Sequence, residues 1–379
     1  MERIPIPERP DWRKKVEELG LLFHTTEDKP YWFEQAYYRF NERQIDQLET
    51  ATNELHKLCL EAVQLVIDHD RFRDLAIPAT AIPAIKWSWQ NQVPSIYGRF
   101  DLAYDGFHAP KLLEYNADTP TALLEAAVIQ WHWLQELFPK ADQFNSIWEG
   151  LVATWQQLKA SGRIKNNLAH FGYVDSIEDF MTITVLQDTA QEAGLQTQEI
   201  LMADIGWDST YRCFADLKER EMQTIFKLYP WEWLIAENFA DEALSIYSQV
   251  NWIEPIWKMI LSNKGILAIL WEMHPGHELL AEAHIGEPHG LFNWIKKPLL
   301  GREGANVTLK VWGQTTETGG EYGEEGYVYQ DYVELPNKDG SHPVMGCWVI
   351  DGKAHGMGIR ESDGPITDNF SRFVPHLFE

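Results

Sequence analysis

Apolar and polar residues alternate with two different periods along this chain, and each change of period marks an element boundary. From Glu42 to Asp68, Ile45, Leu48, Ala51, Leu55, Leu58, Ala62, Val63, Leu65 and Val66 recur at helical spacing, and Thr121 to Leu137 repeats that pattern with Trp and Leu. Both segments are predicted to be amphipathic helices. Between them, the runs from Ile96 to Tyr104 and from Lys111 to Asn116 are short and β-rich. They are joined by the Asp105-Gly106 turn dipeptide and Pro110, which predicts a β-hairpin.

Further along, Phe180 to Leu186 reads as a strand, followed by a helix from Thr189 to Ala193 that stops at Gly194. Trp252 to Trp271 reads as a helix interrupted near Ser262. Beyond Trp294 the texture becomes short β runs separated by glycines, among them Gly301, Gly304, Gly319-Gly320, Gly346 and Gly358, so the C-terminal quarter is predicted to be mostly antiparallel sheet. No internal repeat, low-complexity tract or flexible linker divides the chain.

Composition sharpens this picture. At 379 residues the chain is about twice the usual domain length, and its 17 tryptophans supply ample apolar surface for a large core. The formal net charge of −25 repels phosphodiester backbones and anionic lipid, so neither nucleic acid nor membrane is an expected partner. An anionic nucleotide would bind only where local Lys and Arg, with a divalent metal, reverse the field. Cys59, Cys213 and Cys347 are far apart and odd in number, which reads as ordinary reduced thiols. The charged, proline-containing N-terminus has no apolar signal core and no run of eighteen apolar residues occurs, so a cytoplasmic location is expected.

The chemistry concentrates on the hairpin. Strand parity places Arg99 and Asp101 on one face, and likewise Glu114 and Asn116, with Asp118, Thr119 and Thr121 just beyond. If the strands pair, one guanidinium, two carboxylates and a carboxamide converge. Mg²⁺ takes one or two carboxylates together with phosphate oxygens and water, and Asp101, Glu114 and Asn116 match that demand. The same residues also fit a solvated hairpin face with cross-strand charge pairs. Asparagine is a poor strand former, which favours a ligand role over a surface one.

A second constellation runs from Lys296-Lys297-Pro298 through Gly301-Arg302-Glu303-Gly304 to Val307. Its glycines would let backbone N–H groups approach phosphate oxygens beside a lysine, although a plain hairpin turn fits it as well. It lacks the ending of a Walker loop. Lys264 and Arg360 are further cations set among small residues, each compatible with an ordinary surface charge. No zinc spacing and no Gly-x-Ser-x-Gly elbow is present, which weakens metallo- and serine-hydrolase readings.

Taken in order, Tyr97-Gly98-Arg99-Phe100-Asp101, Glu114-Tyr115-Asn116-Ala117-Asp118, Ser262-Asn263-Lys264, Lys297-Pro298 with Gly301-Arg302-Glu303-Gly304, Tyr329-Gln330 and Gly358-Ile359-Arg360 carry a family likeness. The chain resembles the ATP-grasp synthetase domain of glutathionylspermidine synthases, and most closely its free-standing relatives, candidate acid–amine ligases. The resemblance covers essentially the whole length. It implies an α+β ATP-grasp fold in two parts. About residues 1–95 and 150–255 would form a helical, pre-ATP-grasp-like α/β part, and about 96–125 and 256–379 the nucleotide- and metal-binding part.

The same resemblance implies that Asp101, Glu114 and Asn116 ligate Mg²⁺ and that Arg99 stabilises the transferring phosphoryl group. It also implies that Lys264 and Lys297 hold ATP phosphates, Glu303 and Gly304 belong to a loop closing over them, Gln330 lies near the adenine and Arg360 acts from the far wall. Thr119, Thr121, Glu178 and Asp179 would lie near the acid substrate. The implied reaction joins a small-molecule acid to an amine, peptide- or polyamine-like, through an acyl phosphate.

Two departures from the family bear on substrate. The chain starts at the synthetase portion, so an amidase activity is not expected. Arg372 falls close to the place of an acidic residue that family members use for the polyamine, and it would repel a spermidine ammonium. The rival readings are a nucleotide-binding pseudo-ligase with a regulatory or assembly role, a glutathionylspermidine synthetase proper and, on Trp and acidic content alone, a carbohydrate-active protein.

Overall fold

In the computed structural model, which describes residues 1–26, 29–302, 304–364 and 371–379, local chemistry starts the longest helix. Strands β1 (Glu2–Pro5) and β2 (Ala36–Phe40) lead to α1 (Glu42–Asp68). Asn41 Oδ1 accepts a hydrogen bond from Gln44 N at 3.0 Å and Gln44 Oε1 accepts one from Asn41 N at 3.1 Å. This reciprocal box satisfies two N–H groups that would otherwise be orphaned. The predicted stripe, Ile45 through Val66, then faces the core.

The predicted hairpin forms as β3 (Tyr97–Ala103) and β4 (Lys111–Asn116). Gly106 at its turn has φ +91°, and an added Cβ would lie 2.8 Å from Met1 N, so only glycine fits there. The predicted helix from Thr121 begins two residues late, because Ala122 adopts a left-handed φ of 64°. It passes through a π-turn (Glu125–Ile129) into α2 (Gln130–Leu137), and α3 (Ile147–Ala160) follows.

A parallel sheet comes next, built from β5 (Leu168–Tyr173), β6 (Gln196–Leu201), β7 (Thr224–Leu228) and β8 (Asn251–Ile253) in the order β8-β7-β5-β6. The strand expected from Phe180 to Leu186 is instead part of one helix, α4 (Ile177–Glu192). Ser176 caps it by accepting from Asp179 N at 3.1 Å. Met181, Ile183, Val185, Leu186 and Ala190 are buried along it, so packing overrides the β-branched propensity. The helix expected from Trp252 also divides. Trp252 and Ile253 complete the parallel sheet, Pro255 disfavours helix in the residue before it, and helices resume at Met259–Ser262 and α5 (Ile266–Met273) on either side of the expected break.

The C-terminal portion is antiparallel, as expected. Strands β9 (Ala283–Ile285), β10 (Trp294–Pro298), β11 (Thr308–Val311), β12 (Gln314–Glu317) and β13 (Tyr327–Asp331) form one sheet in the order β9-β13-β10-β11-β12. Strands β14 (His342–Ile350), β15 (Lys353–Ser362) and β16 (Arg372–Val374) join the hairpin in a second, ordered β16-β15-β14-β3-β4. β17 (His376–Phe378) pairs parallel with β2. Helix α1 packs on β14 and β15, so the hairpin is fixed between a buried sheet and an open space faced by β10 and β13. No helix among the described residues is long and apolar enough to cross a membrane, and all three cysteines are free.

Candidate active site

Strand pairing decides whether the polar residues of the hairpin meet. Arg99 lies opposite Asn116 and Asp101 opposite Glu114, with an irregularity in register only after Asp101. The Arg99 guanidinium grips Asp101 with both arms, Nε to Oδ1 at 2.7 Å and Nη2 to Oδ2 at 3.1 Å, and Nη1 donates to Thr121 O at 2.8 Å. On β14, Gly346 makes room for it, since a Cβ there would stand 3.0 Å from Arg99 Cδ. The Asn116 amide nitrogen bridges the two carboxylates, at 3.3 Å from Asp101 Oδ2 and 3.1 Å from Glu114 Oε1.

The lysines close the set from other elements. Lys264 lies in the break between two helices, where Asn263 Oδ1 accepts from Gly265 N at 2.9 Å and so fixes the turn. Its Nζ is 2.7 Å from Glu114 Oε2. Lys297, on β10, donates to Leu113 O and to Gln330 Oε1, both at 2.9 Å, and Gln330 donates to Leu112 O at 2.8 Å. Through these bonds the β10–β13 sheet grips the backbone of β4.

Burial and charge oppose each other across this cluster. Burial works to raise Glu114, but Lys264 and Lys297 outweigh it and hold the carboxyl well below the usual range. Asp101 is raised by burial despite Arg99. Burial lowers Lys297 to about 8, even with Glu114 nearby.

All of these groups face one cleft of about 590 Å³. Thr119 and Thr121 border it from the extended segment after β4, and Glu178 and Asp179 from the first turn of α4. Burial raises Asp179 to about 6. Gly304 and Arg360 complete the opposite walls. The cleft thus gathers Arg99, Asp101, Glu114, Asn116, Thr119, Thr121, Glu178, Asp179, Lys264, Lys297, Gly304, Gln330 and Arg360; Glu303 lies outside the described residues. With Arg302, five cations line it beside five carboxylates, so in a chain of net charge −25 the cleft is locally near neutral, and an anionic ligand would still call on a divalent metal to turn the field positive.

Some lining residues escaped sequence reasoning. Arg302 reaches from the glycine loop to Thr119 Oγ1 at 3.0 Å and to Glu232 Oε1 at 2.7 Å, with Trp233 beneath it at 5.4 Å. Its place as the cation inside that loop was the available signal. Nothing local marks Tyr31 or Trp233, which the fold brings to the cleft from distant segments. Arg372 is not part of the cleft lining. It pairs with Asp363 at 2.9 Å and Glu361 at 3.5 Å.

The residues suit a hard cation. Asp101 and Glu114 lie within reach of the single Asn116 amide, and turning that amide would present its oxygen between them. Among the described residues, no group of three or more His, Cys, Asp or Glu is gathered to hold a metal. Two carboxylates and a carboxamide beside phosphate-sized space agree with Mg²⁺, which completes its shell with phosphate and water, rather than with a closed protein cage.

Comparison with known proteins identifies the family and the fold. The family model described as glutathionylspermidine synthase pre-ATP-grasp matches residues 3–379. A candidate acid–amine ligase of Haemophilus influenzae is 39% identical over 395 residues, covering all of both chains. Trypanothione synthetase of Crithidia fasciculata is 31% identical over 351 residues, 85% of this chain and 53% of that one, so this chain spans about half its length. A glutathione synthetase-like effector from Globodera pallida shares the fold, with TM-score 0.59 at 10% identity, covering 99% of this chain and 100% of that one. The chain therefore belongs to the glutathionylspermidine synthase family, whose members are ATP-dependent ligases that form amide bonds.

Proposed function

We propose that the protein is a Mg²⁺- and ATP-dependent acid–amine ligase that activates a small-molecule carboxylate as an acyl phosphate and transfers the acyl group to an amine. The observation that carries this reading is the convergence of Arg99, Asp101, Glu114 and Asn116 on one face of paired strands, with Lys264 and Lys297 in the same cleft. Asp101, Glu114 and Asn116 would hold Mg²⁺, which neutralises phosphate charge when bound. Lys264 and Lys297 would hold the phosphates, the loop containing Gly304 would cover them, and Gln330 would lie by the adenine. Nucleotide and metal belong in this reading to about residues 96–125 and 256–379.

Catalysis then consists of positioning and charge stabilisation, with no protein nucleophile. The substrate carboxylate, held near Thr119, Thr121, Glu178 and Asp179 with Arg360 opposite, attacks the γ-phosphorus of ATP. ADP leaves while Arg99 stabilises the charge on the moving phosphoryl group. The amine next attacks the acyl carbon and expels phosphate. Peptide-like acids and polyamine-like amines are the substrate classes the family suggests, and the free thiols fit a cytoplasmic setting.

The test is phosphate release from Mg-ATP by the purified protein, screened over paired amino acids, peptides and polyamines. The expected result is ADP and phosphate formation that needs both partners of some pair. ATP turnover indifferent to every acid and amine would overturn the ligase reading.

A further inference from the structure

Behind the wall of the cleft opposite the lysines sits a carboxyl that the mechanism above leaves unused. Glu125 is only 2% exposed, and it opens the π-turn that interrupts the helix after Thr121. Such turns are rare and concentrate at functional sites. The hydroxyl of Tyr31 donates to Glu125 Oε1 at 2.7 Å, and Tyr31 itself borders the cleft. Burial holds the phenol well above its ordinary range, with Glu125 and Glu178 adding to the shift and Arg360 opposing it, so the hydroxyl keeps a proton and can act only by passing one on as it gains another; it also lies near enough to Arg99 to affect that guanidinium. A glutamine at position 125 would accept the same hydrogen bond with no charge to bury, so a carboxylate is the costlier choice for a structural tie. What it alone offers is the ability to take up a proton.

We propose that Tyr31 and Glu125 form a proton relay for the amine substrate, in which the Tyr31 hydroxyl takes a proton from the incoming ammonium as it passes its own to Glu125. This rests on the ligase reading given above. An amine that enters as an ammonium ends as an amide N–H, so it sheds two protons. The first must leave before nitrogen can attack, and the relay accepts it. As the C–N bond forms and the C–O bond to phosphate breaks, the second neutralises the departing phosphate, and the relay later returns its proton to solvent. Tyr31 is the catalytic group and Glu125 the positioning residue behind it. Burial raises Glu125 to about 7, opposed by the Tyr31 hydrogen bond and Arg360 and assisted by Glu178, which suits a base working near neutrality.

The experiment uses the full chain with Mg-ATP, the acid that gives most turnover in the phosphate-release screen, and two nucleophiles. One is the best amine of that screen; the other is hydroxylamine, chiefly free base at neutral pH and so in no need of a proton acceptor. For Glu125→Gln and Tyr31→Phe the ratio of amide to hydroxamate formed at pH 7 should fall by roughly 10²-fold. The deficit should narrow as pH rises and free amine accumulates. Loss of both products in parallel, with the ratio unchanged, would make the pair a structural tether and overturn the relay, as would a full amide rate in either variant. Wild-type protein that makes neither product with any acid sinks the ligase reading first, and the relay with it.

Discussion

Arg99 has donors committed on two sides, to Asp101 and to the backbone of Thr121, and its ring neighbour Trp348 lies 5.9 Å away. That packing fixes the direction of its positive charge before any ligand arrives, which is what preorganised stabilisation requires. Arg99→Ala should lower ATP turnover by roughly 10²- to 10³-fold while circular dichroism stays native. Lysine at the same position keeps the charge but loses the fork, and should recover only part of the rate. Near-normal turnover in Arg99→Ala would remove this residue from the mechanism. At this scale much was readable from the chain, because side-chain parity along a strand is a local property: Arg99 shares a face with Asp101, and Glu114 with Asn116, whatever surrounds them.

The hairpin carrying those residues is anchored as a unit from below. Lys258, fully buried, donates to Tyr97 O at the start of β3 and to Ala117 O just past the end of β4. It also pairs with Glu254 at 2.7 Å, whose other oxygen accepts from Ile96 N and Tyr97 N. Lys258→Met would strand a buried carboxylate and should cost about 3–5 kcal/mol in urea unfolding. The double variant Lys258→Met/Glu254→Gln should regain part of that loss, since it removes the unpaired charge as well. If the single variant unfolds like wild type, the clamp is not what holds the hairpin. Element identity was less legible than parity. Phe180 to Leu186 is rich in β-branched residues and reads as strand, yet the cap at Ser176 and burial of α4 make it helix. Propensity is a weak term beside that much apolar contact.

Across the molecule, acid should act through two histidines, His376 sealed in the core and His56 partly buried. Burial lowers His56 to about 4 and His376 to about 3; His376 Nδ1 is 3.0 Å from Gln130 Oε1. Their folded affinities for protons lie below the unfolded value of about 6.5, so the unfolded chain binds more protons between those limits. Stability is then full above about pH 6.5 and falls as pH drops toward 4 and 3. At pH 5, unfolding should take up about two protons from this pair, read as the slope of unfolding free energy against pH. His56→Gln with His376→Gln should flatten the slope, and an unchanged slope would assign the acid sensitivity to other groups.

By itself the sequence determined the long helix from Glu42 to Asp68, the hairpin, the antiparallel C-terminal quarter and the pairing of polar side chains on alternate strand positions. The helix, the hairpin and the strand parity follow from interactions within a few residues or across one turn, and the glycine-punctuated β runs of the C-terminal quarter are likewise marked locally, although several of their strand partners are distant in the chain. Only the tertiary structure decided that Lys264 meets Glu114, that Lys297 and Gln330 grip the backbone of β4, that Arg302 reaches Glu232, and that Tyr31 finds Glu125 across 94 positions of chain. Those contacts depend on how separate sheets pack around a shared cleft, and no periodicity along the chain encodes which distant side chains that packing will bring within hydrogen-bonding distance.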